Sequence, residues 1–245
     1  MISGFLQITP SDARTTSTTK NGVLIGSKAI TRDGKVYRWT LNGAVALAAG
    51  KTNTGVARVA NNSNMALATT SNIAIGSTKI SVTLGGTAVT ADQYLDGYAV
   101  INDGTGVGQS FLLAGNSAQT SGSGTCELYL AEAITAALVI TSDTKVTLIP
   151  NPNAGVVVTP AVVTNPIAGV PNVAVAASSY FWDQSRGMAG VLSDGVIARG
   201  TQGIPSDAVI GALETRVDAT VVQPVSFVPD ATVDAKYYPQ YLLVD

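Results

Sequence analysis

Between residue 56 and about residue 160 the sequence runs in short apolar–polar alternations, separated by turns rich in glycine, asparagine and aspartate. That rhythm constrains the fold more than any other feature. Lys79-Ile80-Ser81-Val82-Thr83-Leu84 alternates strictly and stops at Gly85-Gly86. Residues 98–102 run into the glycine loop 104–108, and residues 109–113 come back. Residues 125–130 and 145–149 add two more strands; the first puts Cys126, Leu128 and Leu130 on one face, the setting of a buried structural cysteine. A period of two is that of a half-buried strand, and many short strands at regular spacing build a sandwich or barrel. The expected fold is all-β, with two small β sandwich/barrel domains and an extended N-terminal arm.

The flanking regions read differently. Residues 9–22 are polar and nearly free of large apolar side chains, so they look like an arm that orders only against a partner. Asp33-Gly34, between Ala29–Arg32 and Lys35–Trp39, predicts a two-residue type I′ hairpin. Residues 44–49 fit a short helix or a loop equally well. Pro150, Pro152, Pro160, Pro166 and Pro171 predict an extended connector that is neither helical nor central in a sheet. Beyond it, a second hairpin is expected at Asp194-Gly195 between 190–192 and 196–198. Tyr237–Val244 reads as a closing strand, and Tyr180-Phe181-Trp182 as core. The expected domains are an arm and hairpin over 1–55, a β domain over 56–160 and a C-terminal barrel-like domain over 161–245.

Composition narrows the chemistry. The chain has no histidine, one cysteine and 12% charged residues, against roughly 25% in ordinary domains. Histidine-based triads, Cys–His pairs and histidine-ligated zinc are therefore impossible. At 245 residues the chain buries enough surface to need no disulfide, and Cys126 has no partner in the sequence. The first six residues lack the basic start and long apolar run of a signal peptide, and no stretch approaches ~18 apolar residues. A soluble chain made in a cytoplasm, with no membrane partner, is expected. Residues 1–58 carry eight basic and two acidic side chains, and the rest carry six and fourteen. Either this is a solvated bias, or the basic portion docks on an acidic surface. Nucleic acid is a poorer partner, because the bases are dispersed and only Tyr37 and Trp39 stand among them.

Motifs that invite an enzymatic reading fail on spacing. Gly50-Lys51-Thr52 ends like a phosphate loop, but Val45 stands where the first glycine belongs. The 104–108 loop lacks both the dinucleotide spacing and a following helix. Glu127 with Glu132, or Asp92 with Asp96, would be glycosidase pairs only across a cleft that the sequence does not reveal. Asp92, Asp96 and Asp103 lack the dense spacing of a calcium loop. Neither a cofactor nor a catalytic residue is assigned, and the chain is read as a non-enzyme.

Three patches carry a family resemblance. They are Asp33–Trp39 with the Ala-Leu-Ala-Ala-Gly of residues 46–50, Tyr94–Phe111, and Tyr180–Leu192 with its Tyr-Phe-Trp-Asp-Gln-Ser-Arg-Gly-Met-Ala-Gly core. Together they resemble a family of tailed-bacteriophage virion proteins, the capsid decoration or head cement proteins, over most of residues 29–200. The resemblance implies a β-rich protein on the outer capsid surface of the virion. There it bridges and stabilises subunits of the major capsid protein, beside neighbouring copies of itself in a homo-oligomer such as a trimer. It carries no active-site residues across. The candidate capsid contacts are the bases of the N-terminal portion: Arg14, Lys20, Lys28, Arg32, Lys35 and Arg38. The rival readings are another virion part (tail, fibre or head spike) that binds a host surface, and an enzyme acting on cell-wall polysaccharide.

Overall fold

The computed structural model describes residues 6–69, 71–120, 122–140, 144–216 and 223–245. Met1 to Phe5, part of the stretch read for a signal peptide, lie outside the described residues. The protein is nearly all-β; among the described residues the helical elements are two short 3-10 turns, Asp12–Arg14 and Ala60–Asn62. The chain forms two compact units, Met1–Val56 with Pro152–Asp245, and Ala57–Asn151.

The first unit opens with β1 Leu6–Gln7, β2 Thr16–Ser17, β3 Lys28–Ile30, β4 Val36–Asn42 and β5 Asn53–Thr54. The second unit holds β6 Met65–Ala66, β7 Lys79–Thr83, β8 Tyr98–Asp103, β9 Ser110–Asn116, β10 Thr125–Leu130 and β11 Lys145–Ile149. The chain then re-enters the first unit. It continues there as β12 Ala154–Val158, β13 Ile167–Pro171, β14 Tyr180–Leu192, β15 Gln202–Pro205, β16 Leu213–Thr215, β17 Ser226–Phe227 and β18 Tyr237–Leu243.

In the second unit the strands run in the order β6-β11-β8-β9-β10-β7. A bridge between Leu67 and Val82 returns the last strand to the first, which makes a small barrel. The alternation seen in sequence is the alternation of burial: Ile80, Val82, Cys126 and Leu128 are fully inside, with Leu113 and Leu148. Fully burying an aliphatic side chain of this kind contributes roughly 1.5–3 kcal/mol. The glycine loop 104–108 joins β8 to β9 as expected, and Gly104, Gly106 and Gly108 all have positive φ.

In the first unit β4, β12, β5, β13 and β14 form a ring, because β4 pairs β14 directly as well as through the other three. From β14 the sheet continues through β18, β17, β15 and β16. Two expectations change here. The separate 1–55 and 161–245 domains are one unit, held by six paired positions of β4 on β14, Tyr180↔Leu41 through Arg186↔Val36. The 56–160 domain ends near Asn151. The proline-rich stretch is no mere connector either. Its segments β12 and β13 lie inside the ring, and Pro171, at the end of β13, uses its carbonyl to accept the Gly50 N–H at 2.9 Å.

The arm is extended but packed against its own unit. Leu6 pairs Ala29, Thr16 pairs Phe181, Ala13 is buried, and the Trp39 indole N–H donates to the Lys20 carbonyl at 3.1 Å. The first hairpin also departs from type I′, which requires positive φ at both central residues. Only Gly34 has it (φ 80°); Gly34 N–H bonds the Thr31 carbonyl, so the loop is the longer form with one left-handed glycine. Residues 44–49 form no helix, and Leu47 bridges Val175. At Asp194-Gly195 the chain turns without returning on itself. β14 is paired by β18 over seven positions, and Gly195 N–H and Ile197 N–H instead meet Asp234 Oδ1 and Thr232 Oγ1.

Candidate binding cavity of the first unit

The six candidate bases separate into distinct environments. Arg38 donates through Nε and Nη2 to Asp245 (3.2 and 2.6 Å) and through Nη1 to the Gly26 carbonyl, and Lys28 reaches the same carboxylate at 3.1 Å. These two are committed inside the fold. Arg32 is exposed in the hairpin turn, and Lys20 is half-buried, its carbonyl holding Trp39. Arg14 and Lys35 come together on the wall of one cavity of about 680 Å3. Since the first unit holds eleven basic and ten acidic side chains, the charge bias along the sequence largely cancels in three dimensions.

Each cavity side chain has a local cause. Arg14 ends the 3-10 turn Asp12–Arg14, whose start is fastened by Thr9 N–H and Oγ1 donating to Asp12 Oδ2 at 2.9 and 2.7 Å. Those hydrogen bonds hold the Asp12 carboxyl below the usual carboxylate range. Arg14 is exposed and makes no ion pair among the described residues. Lys35 follows the hairpin glycine, and its ammonium sits 3.1 Å from Asp33. Its stem lies over Gly187, where φ is 93° and an added Cβ would come within 3.1 Å of Lys35 Cγ. The bulge in the β14–β4 ladder between Gln184 and Arg186 adjoins this spot.

Behind these cations, Tyr37 is buried and accepts a hydrogen bond from Asn172 Nδ2 at 3.0 Å. Burial pushes its phenol up, so the O–H stays protonated and retains its proton to donate. Gln184, also buried, spends its Nε2 on the carbonyls of Arg186 and Met188. Pro10, Pro171, Met188 and Tyr237 supply apolar wall, and no acidic side chain among the described residues lines the space. Gly50 sets the depth at one end: a Cβ there would meet the Tyr237 ring at 2.6 Å.

The outward face of the same sheet continues this surface. Met188 pairs Tyr241, and Tyr241 pairs Phe227; all three are exposed, with Tyr237 and Leu243 on the same side of β18. This row did not stand out in the sequence. Its signal was the strict alternation Tyr237, Pro239, Tyr241, Leu243 against buried Gln240 and Leu242.

The other groups that could do chemistry lie elsewhere. Glu127 is paired with Lys79 at 2.8 Å, which draws its carboxyl down, away from general-acid use. Cys126 is buried and desolvation raises its thiol, the opposite of an activated nucleophile. Asp183 is wholly buried, and desolvation pushes its carboxyl up to about 8 against a smaller downward pull from the Asn53 amide. Asn53 faces it without closing a bond of ordinary geometry, so neither carboxyl oxygen has a hydrogen-bond partner among the described residues. Among the described residues no three metal-ligating side chains gather, and no helix is long and apolar enough to cross a membrane.

Comparison with known proteins finds no matching family model, no matching curated protein and no matching solved structure.

Proposed function

We propose that this chain is a structural virion protein of a tailed bacteriophage, decorating the outer capsid surface and bridging subunits of the major capsid protein. The observation that carries the reading is the cavity of the first unit. It offers donors and apolar wall beside an exposed cross-strand row, while among the described residues no serine, threonine, cysteine or carboxylate lines it. Such a site holds a partner and leaves it unchanged. The resemblance over residues 29–200 supplies the class of partner. Many copies on a repeating lattice convert a modest interface per copy into a stable coat, since avidity multiplies without new contacts.

The test is the position of the protein on the particle. Antibody raised against the full chain is applied to tailed-phage virions that carry it, and the label is imaged by electron microscopy. Label distributed over the head supports the proposal. Label confined to tail or fibres transfers the protein to the rival virion reading. Turnover of cell-wall polysaccharide by the purified chain would overturn both.

A further inference from the structure

We propose that the cavity bounded by Arg14, Lys35, Tyr37 and Tyr237 is a receptor for one carboxylate group carried by an extended peptide segment. This rests on the reading of the chain as one that binds another protein, and it names the chemistry of that contact.

The lining selects for a carboxylate in three ways. First, its two charged groups, the Arg14 guanidinium and the Lys35 ammonium, are donors only, and the Tyr37 O–H can donate beside them. A planar guanidinium matches a carboxylate in a fork, and such charge-assisted bonds are roughly twice as strong as neutral ones. Second, the charge balance fits a monoanion. Asp33 already offsets Lys35, which leaves about one positive charge, and a phosphate dianion would stay half neutralised. Nor does the loop supply a phosphate nest, since the Gly50 N–H is taken by the Pro171 carbonyl. Third, the remaining polar atoms suit a peptide. Gln184 spends both amide N–H groups and Asn172 one of its two on protein acceptors, and their carbonyl oxygens are placed to accept a ligand's backbone N–H. Sugars, whose hydroxyls need acceptors as well as donors, would find no carboxylate among the described residues of the lining to donate to.

Size and walls agree. The volume lies within the ~300–1,000 Å3 of ligand pockets. Met188 and Tyr237 belong both to the cavity and to the exposed face of β14 and β18, so residues flanking the carboxylate have apolar surface to lie on.

The experiment is calorimetric titration of the full chain with the blocked tetrapeptide acetyl-Ala-Val-Glu-Val-amide. Its Gln counterpart, acetate, inorganic phosphate and a glucuronate disaccharide are the other probes. The Glu peptide is expected to bind at least tenfold more tightly than each of these. Arg14→Gln, at an exposed position, is expected to lose at least tenfold of that affinity with an unchanged melting temperature. Equal binding of the Glu and Gln peptides, tighter binding of phosphate or glucuronate, no heat up to 10 mM peptide, or an indifferent Arg14→Gln would each overturn the proposal. Phage heads stripped of the protein separate the two readings. If Arg14→Gln loses the peptide but the wild-type chain ignores the heads, the site stands and the capsid reading falls. If heads take up wild type and Arg14→Gln equally, the capsid reading stands and this site falls.

Discussion

Arg38 and Asp245, 207 residues apart, meet through two hydrogen bonds of 2.6 and 3.2 Å, and Lys28 joins them at 3.1 Å. Burial alone would raise the Asp245 carboxyl, but the hydrogen bonds from Arg38 and Lys28 outweigh it, so the folded value lies below the usual one of 3.8. The folded state therefore binds this proton less readily than the unfolded chain. The pair's contribution is present above about pH 4 and is lost as pH falls through the lowered folded value. Asp245→Asn should cost about 1 kcal/mol at pH 7, as befits a partly exposed network. Urea melts at pH 7 and pH 3 check it, since the difference between variant and wild type should shrink at the lower pH. A difference that stays constant with pH would show that the charge contributes nothing.

The same guanidinium explains an uncomfortable neighbour. Asp183 stands opposite Arg38 in the β4–β14 ladder, yet Arg38 is directed to Asp245 and to the Gly26 carbonyl. Asp183 is thus left buried without a counter-charge among the described residues and holds its proton up to about pH 8. An acid whose folded value is raised favours folding most at low pH. Stability should fall by about 1.4 kcal/mol per pH unit between roughly pH 4 and pH 8, and then level off. Asp183→Asn keeps the shape and removes the titration, so the variant should be the more stable chain at pH 8 and nearly match wild type at pH 4. Denaturation at four pH values across that range decides it; parallel curves would reject the assignment.

What the sequence made legible follows from the range of the interactions involved. The burial of Ile80 and Val82 against Lys79 and Ser81 is a local alternation, and it could be read directly. The ring in the first unit is not local: Trp39 finds Trp182, and Leu41 is bonded on one side to Asn153 and aligned on the other with Tyr180. No window of neighbouring residues contains that. The Asp194-Gly195 turn was real as a turn and misleading as a hairpin, because β18 offers β14 seven paired positions and leaves residues 196–198 unwanted. Arg14 and Lys35 were visible as bases, but their cavity is walled by residues from 10 to 237. The one local sign was Gly187 inside an apolar strand pattern, a mark of a bulge or a close approach. In the fold it is the surface on which Lys35 lies.

Trp182 anchors the arm as well as the sheet. It stands 4.9 Å from Trp39 between ring centroids, in a cluster with Ala13, Ala29 and Tyr37, all buried. Trp182→Ala should cost about 3–5 kcal/mol, as for other buried aromatics. Deleting residues 1–22 should also lower the melting temperature, because it uncovers this cluster and removes the Lys20 carbonyl from the Trp39 indole. Near-ultraviolet circular dichroism, which reports the packed tryptophans, is expected to weaken in both variants. A truncated chain that melts like wild type would return the arm to the role of a free docking element.

The second unit should fold without the first. Residues 57–151 are contiguous in sequence, hold their own closed set of strands and enclose a core that includes Ile80, Leu113, Leu128, Ile134 and Leu148. The first unit, by contrast, needs both flanking segments to complete its ring. An expressed 57–151 fragment is therefore expected to melt in one cooperative step and to show dispersed amide resonances. Leu128→Ala within it should cost about 2–5 kcal/mol, the range for emptying a fully buried leucine site. The core belongs to this segment alone if the fragment and the full chain lose the same increment on that substitution. A fragment that stays unfolded while the full chain folds would show that this barrel depends on contacts from residues outside 57–151.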